Sequence, residues 1–142
     1  MDNQLYVMID TGFFVAIGNS KDRWHTAAKK TLASIGKRKW ITTWPVLTEV
    51  SHLLSNVSPT EYHKLLDALQ QGLCEIFPLS LTHIARMYDL TLKYKDLPMD
   101  LADASLVILA EEKAIADIVS TDQRDFETYR WKNKHPFRNL LM

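Results

Sequence analysis

Pro98-Met99-Asp100-Leu101-Ala102-Asp103-Ala104-Ser105-Leu106-Val107-Ile108-Leu109-Ala110 is the stretch that decides the fold. From Leu101 onward it is apolar almost all the way round, the pattern of a helix buried in a core. Asp103 nevertheless falls in the first turn, and no Lys or Arg lies within a helical turn to neutralise it. A carboxylate at the edge of a dry core is costly unless it gains hydrogen bonds, a cation or a metal. Two readings compete. With Asp100 as N-cap and Asp103 at N3, both acids serve orphan amides and the helix dipole. Alternatively, Asp103 holds a cation together with acids from elsewhere in the chain.

Working outward, Leu5–Ile9 is a short run rich in β-formers and reads as a buried strand ending at Asp10-Thr11-Gly12. A short helix is expected over Phe13–Ile17, and a second, opened by Asp22, over about Arg23 to Ser34. Trp40-Ile41 is a brief apolar run, followed by a helix that carries Pro45 in its first turn. Ser58-Pro59-Thr60-Glu61 has a capping-box pattern and starts a helix that Gly72 closes. Cys74–Phe77 reads as a strand. Ser80 starts a helix to about Lys95, with Ile84, Ala85, Tyr88 and Leu92 expected inward. After the Asp103 helix, Ile115–Val119 reads as the last strand and meets Ser120-Thr121-Asp122.

Strands alternating with helices argue a parallel sheet covered by helices. Ligands of such sheets bind outside the carboxyl ends of the strands. Asp10 and Asp122 fall there, and Glu49, about a turn and a half into its helix, can turn back to the same edge. Asp103 makes a fourth acid. Singly, each could be a cap, an Asx-turn or an exposed helix residue. Jointly, four converging carboxylates would repel and raise one another's pKa values. A divalent ion removes the conflict, and oxygen-only ligands select a hard ion, Mg²⁺ or Mn²⁺. His25, His52, His63, His83 and His135 are scattered without the spacing of a zinc motif. Such a site activates water and stabilises the charge that develops on a phosphodiester, so the implied chemistry is phosphodiester hydrolysis.

The bulk properties fit this chemistry. The 142 residues are expected to form a single domain, residues 1–142, and 46% apolar with 24% charged residues is the composition of an ordinary soluble globule. Lys+Arg and Asp+Glu balance at 17 each, so nucleic acid would have to be held by local patches. The lone cysteine, Cys74, excludes an intrachain disulfide and fits a reducing cytosol. Neither a signal peptide nor a stretch approaching the ~20 apolar residues of a bilayer span is visible, which points to a cytoplasmic protein without a membrane partner.

Asp10-Thr11 after a strand, Glu49 in a helix, Asp103-Ala104 opening an apolar helix, and Thr121-Asp122-Gln123-Arg124-Asp125-Phe126 together resemble the PIN domain. Within that family the chain looks most like the ribonuclease toxins of VapBC toxin–antitoxin pairs. The resemblance implies an α/β/α sandwich, Mg²⁺- or Mn²⁺-dependent endoribonuclease activity, homodimerisation and a small cognate antitoxin. It assigns Asp10, Glu49, Asp103 and Asp122 to the four acidic positions of the family, with Asp100 and Asp125 as additional acids. Thr11 and Thr121 are supporting residues that could hydrogen-bond carboxylates or a metal water.

Arg124, Arg130, Lys132, Lys134 and Arg138, interleaved with Tyr129, Trp131 and Phe137, have a composition suited to RNA. The competing reading is a solvated terminal segment whose aromatics pack on the body. Lys37-Arg38-Lys39 reads as a solvated turn. Phe14, Trp24 and Leu54 are candidate dimer contacts. An antitoxin is expected to present an Arg or Lys to the clustered acids.

Other classes fit less well. Asp10-Thr11-Gly12 is also the signature of retroviral-type aspartic proteases, but those are nearly all β, and this chain carries at least five helical segments. A haloacid dehalogenase-type phosphatase would want a second Asp where Gly12 stands. A non-catalytic RNA- or protein-binding module on the same fold is the remaining alternative, and the intact acids argue against it.

Overall fold

The computed structural model describes residues 3–141. Its first strand, β1 (Tyr6–Ile9), buries Val7, Met8 and Ile9 completely. A strand apolar on both faces belongs in the middle of a covered sheet, and β1 occupies the centre of five. The others are β2 (Lys39–Thr43), β3 (Glu75–Phe77), β4 (Asp117–Val119) and β7 (Arg138–Asn139), in the order β3-β2-β1-β4-β7. All four pairings are parallel. From β1 the chain steps first to β2 and β3, and later to β4 on the other side. The order therefore reverses between β1 and β4, which opens a crevice at their carboxyl ends.

Helices flank the sheet, as the α/β/α sandwich requires: α1 (Thr11–Gly18), α2 (His25–Ile35), α3 (Trp44–Val57), α4 (Pro59–Gln70), α5 (Ile84–Lys93), α6 (Leu101–Lys113) and the short α7 (Gln123–Thr128). The caps foreseen at two of them are present. Ser58 Oγ accepts the Glu61 amide at 3.3 Å, and Asp100 Oδ1 accepts the Asp103 amide at 2.8 Å. Every residue of α6 from Ala102 to Ala110 is buried, as its all-round apolar sequence demands. Its first turn is tied to β2 by hydroxyls: Thr43 and Ser105 lie 2.6 Å apart, and Ser105 donates to Ala102 O at 2.7 Å. No helix among the described residues is long and apolar enough to cross a membrane.

Several expectations are corrected. Ile84, Tyr88 and Leu92 point outward, 54%, 64% and 54% exposed, and Ala85 is exposed too, while Met87, Leu90 and Tyr94 are buried. Both faces of α5 have helical spacing, and polar pairs choose between them. Arg86 donates twice to Glu111 of α6 at 2.9 and 2.7 Å, and His83 Nε2 lies 2.6 Å from Glu112. Phe14 and Leu54, 4% and 1% exposed, are core residues and unavailable as dimer contacts.

Arg38 is not a solvated turn residue. It pairs at 2.7 Å with Asp117, itself 1% exposed, and Arg138 donates to the same carboxylate at 2.5 and 2.7 Å. Burial alone would raise the Asp117 carboxyl, but the bonds to Arg138 and Arg38 hold it below its ordinary value. Helix α2 begins at His25, with Trp24 at its N-cap, while Asp22 closes a turn through the Trp24 amide at 2.8 Å.

Nor is the strand after α6 the last. A hairpin of β5 (Arg130–Trp131) and β6 (His135–Pro136) precedes β7, its turn carrying Lys132 and Asn133 at φ 54° and 57°. The amide of Lys132 donates to Glu111 Oε2 at 2.6 Å, which fixes the turn against α6.

Candidate functional site

The crevice at the carboxyl ends of β1 and β4 collects the acids. Asp10 follows β1 and is the N-cap of α1, its Oδ1 accepting the Thr11 amide at 2.7 Å. Asp122 follows β4 as the N-cap of α7, and Asp103 enters from the first turn of α6. One carboxylate oxygen from each of the three lies within 4.8 Å of the others. Asp10 and Asp103 are only 2% and 7% exposed, while Asp122 opens to solvent. Capping and convergence thus coexist: Asp100 caps α6, which leaves the Asp103 carboxylate free to face Asp10 and Asp122.

Glu49 is exposed on α3 and stands outside this tight group, yet its charge raises the pKa of both Asp10 and Asp122. Asp100 and Asp125 act in the same sense: Asp100 raises Asp103 and Asp122, and Asp125 raises Asp122.

Burial is the largest cause pushing the Asp10 carboxyl up to about 7, with Asp122 and Glu49 adding to it against the bonds from Ser120 and Thr11. Burial also raises Asp103 well above the usual carboxylate range, reinforced by Asp100, Asp10 and Asp122. Asp122 is raised by burial and by its acidic neighbours. The shifts share one cause, negative charges brought out of water and crowded against one another. The hydroxyl oxygen of Thr11 is buried next to Asp10 without a hydrogen-bond partner. An all-oxygen donor set with uncompensated charge and an orphaned hydroxyl fits a hard divalent cation such as Mg²⁺ or Mn²⁺.

The sequence profile of the PIN domain matches residues 7–132. The chain belongs to the PIN domain family. Its fold is similar to that of the Mycobacterium tuberculosis VapC20 toxin, described as cleaving the sarcin–ricin loop. The TM-score is 0.72 at 20% sequence identity, over 82% of this chain and 89% of that one. No curated protein matches the sequence significantly.

Three residues of this PIN domain's acidic crevice were missed by sequence reasoning, which chose Thr11 and Thr121. Ser120 Oγ donates to Asp10 Oδ2 at 2.7 Å and accepts the Asp122 amide at 3.0 Å, so one hydroxyl locks two of the three acids together. Asn139 on β7 clamps that loop, accepting the Ser120 amide at 3.2 Å and donating to Ser120 O at 2.9 Å. A hydroxyl two residues before Asp122 was the available signal for Ser120; for Asn139 there was none. The head of Thr121 instead packs against Gly12, where an added Cβ would stand 1.9 Å from Thr121 Oγ1. The first turn of α1 can approach the loop after β4 this closely only with glycine at position 12.

Tyr129, quoted only as one of the aromatics, is fully buried and donates from its hydroxyl to Asp103 Oδ2 at 3.3 Å. Burial and the neighbouring Asp103 raise its pKa, which keeps the phenol protonated and a donor.

The basic residues do not gather at the crevice. Arg124 is exposed in the first turn of α7, one residue past its start. The Arg130 guanidinium is spent on the end of α7, donating to the carbonyls of Glu127, Thr128 and Tyr129 at 2.7, 3.3 and 2.9 Å. Lys132 sits beside Glu111, eight residues along α6 from Asp103 and therefore about 12 Å away along the axis. Tyr129 and Trp131 are buried and pack on the body, the competing reading of that segment.

Proposed function

We propose that this PIN domain is a metal-dependent endoribonuclease that hydrolyses RNA phosphodiester bonds, the toxin of a type II toxin–antitoxin pair. The observation that carries the reading is the convergence of Asp10, Asp103 and Asp122, with one carboxylate oxygen of each within 4.8 Å of the others, two of the three acids being buried. RNA as the substrate, and the toxin role, rest on the family and on the likeness in fold to VapC20.

A bound Mg²⁺ or Mn²⁺ would supply charge for the developing phosphorane and a water of lowered pKa. The chain's own residues do the rest. Asp10, Asp103 and Asp122 would hold the ion, and Glu49 would add negative charge from α3. Ser120 keeps Asp10 and Asp122 in fixed relation, and the Thr11 hydroxyl has a free lone pair and proton for a metal water or a phosphate oxygen. Asp100 and Asp125 add negative charge that draws the cation without touching it. Arg124, exposed two residues after Asp122, would be the basic residue to meet an RNA phosphate, whereas the Arg130 guanidinium is taken up by the end of α7.

The same charge that attracts a metal attracts a guanidinium, so a small antitoxin that inserts an Arg or Lys among the acids is the natural inhibitor. We also propose a homodimer, a single nuclease domain over the 142 residues and a cytoplasmic location, the last in keeping with the lone cysteine.

Purified protein incubated with RNA tests the reading. Cleavage is expected with Mg²⁺ or Mn²⁺, to vanish in excess EDTA, and to fall by on the order of 10² or more in Asp103→Asn. Full cleavage in EDTA, or by Asp103→Asn at the wild-type rate, would refute it.

A further inference from the structure

A buried tyrosine hydroxyl needs an acceptor, and most find a backbone carbonyl or another neutral group. That of Tyr129 finds a carboxylate of the acidic crevice. Its ring is held on every side. Tyr94 packs edge-on at 4.9 Å between ring centroids and Phe126 at 5.2 Å, and Phe126 is braced in turn by Phe137 at 5.3 Å. Tyr94 is itself anchored, its hydroxyl accepting the Arg130 amide at 2.9 Å. The phenol therefore has one place to point, and Asp103 Oδ2 is there.

The position in the chain adds to this. Asp122 is the N-cap of α7 and Tyr129 is its C-cap, so a single short helix carries one acid of the crevice at its start and the Asp103 donor at its end. The hydroxyl ties the far end of α7 to the first turn of α6 and so sets Asp103 relative to Asp122. Asp10 has two donors of its own, the Ser120 hydroxyl and the Thr11 amide. Among the described residues, Tyr129 is the one side chain that donates to the Asp103 carboxylate.

We propose that Tyr129 is a positioning residue of the acidic site: by occupying one oxygen of Asp103 it orients the carboxylate so that the other faces Asp10 and Asp122 and is available to a divalent cation. The inference rests on the metal-site reading above. The 3.3 Å separation belongs to a weak bond, and an ionised Asp103 would draw the phenol closer, since bonds to a charged oxygen are shorter and stronger. Groups that orient metal ligands in this way typically change metal affinity or activity 10–100-fold when removed.

Calorimetric titration of the metal-stripped full chain with MnCl₂ alone tests the proposal. Tyr129→Phe removes one oxygen and leaves the ring packing intact, and it is expected to weaken Mn²⁺ binding by roughly 10–100-fold. Tyr94→Phe removes a hydroxyl from the same aromatic cluster that does not touch Asp103, and it should bind Mn²⁺ like wild type. A purely structural Tyr129 would lower the melting temperature without moving the Mn²⁺ affinity. Unchanged affinity in Tyr129→Phe, with Asp103→Asn losing it, overturns this inference and leaves the metal site standing. No Mn²⁺ binding by wild type overturns both. Should Tyr129→Phe not fold, the wild-type protein labelled with ¹³C at tyrosine Cζ carries the test. The Tyr129 resonance is expected to shift on adding Mg²⁺, and an unmoved resonance overturns the proposal.

Discussion

Replacing Asp10 by Asn removes a negative charge from a crevice in which burial, with Asp122 and Glu49 behind it, raises this carboxyl from its ordinary 3.8 to about 7. The folded chain thus binds that proton more tightly than the unfolded one, and the stability contributed is fully present below about pH 4. It drains away as pH rises and is lost above about pH 7. Between about pH 5 and about pH 8 the loss spans two pK units, about 3 kcal/mol at 1.36 kcal/mol each. For a domain of this size that is about 8 °C in melting temperature.

Asn does not titrate, so the variant's melting temperature should be flatter with pH by about that amount, crossing wild type and exceeding it at the alkaline end. The slope from Asp103 shrinks too, because the Asp10 charge is among those that raise it. Asn keeps an acceptor for the Thr11 amide, and Ser120 can turn its hydroxyl to accept from the new amide, so the cap survives. The assay is thermal unfolding by circular dichroism of chelator-treated wild type and Asp10→Asn across the range. Adding Mg²⁺ at about pH 8 should raise wild type well above the variant. Parallel pH curves for the two proteins would refute the argument that the crevice stores unneutralised charge.

Three further outcomes are expected. Gly12→Ala drives a Cβ to 1.9 Å from Thr121 Oγ1 and should cost about 1–3 kcal/mol in urea unfolding, most of it recovered by adding Thr121→Gly. Asp117→Asn weakens the pairing of Arg38 and Arg138 with this carboxylate and should cost about 1–3 kcal/mol, while the folded protein binds Mn²⁺ unchanged because Asp117 starts β4 at the edge opposite the acids. Asp100→Asn still caps α6 and should shift stability by no more than about 1 kcal/mol; a hundredfold loss of RNA cleavage in it would make Asp100 a ligand instead.

The parts legible in the sequence were those whose signal is local. An all-round apolar run such as Leu101–Ala110 can only be a buried helix, and an apolar strand followed by Asp10 places a carboxylate at a strand end. The face of α5 was illegible because Ile84/Tyr88/Leu92 and Met87/Leu90/Tyr94 carry the same period. The choice was made by Glu111 and Glu112, more than twenty residues downstream, which recruit Arg86 and His83. Strand β7 escaped because two residues cannot show a period, and the pairing of Arg138 with Asp117 spans 21 residues of sequence. Arg38 was misread for the same reason: a lone Asp inside the apolar run Ile115–Val119 demanded a cation, but nothing local says which one answers. At the crevice the acids were legible and the residues that hold them were not, since Ser120, Tyr129 and Asn139 act through distance and orientation, which no spacing encodes.

Asn139 stands in for a strand neighbour at the loop that carries Asp122, matching the Ser120 amide and carbonyl with its own side-chain amide. Proteins are built from the amino terminus, so Asp10, Glu49 and Asp103 leave the ribosome well ahead of this residue. Until β7 docks on β4, the Ser120 loop lacks its clamp, and the hydroxyl that joins Asp10 to the Asp122 backbone has nothing to hold it in place. The geometry of this crevice is therefore set only after Asn139 has followed the acids out and β7 has docked.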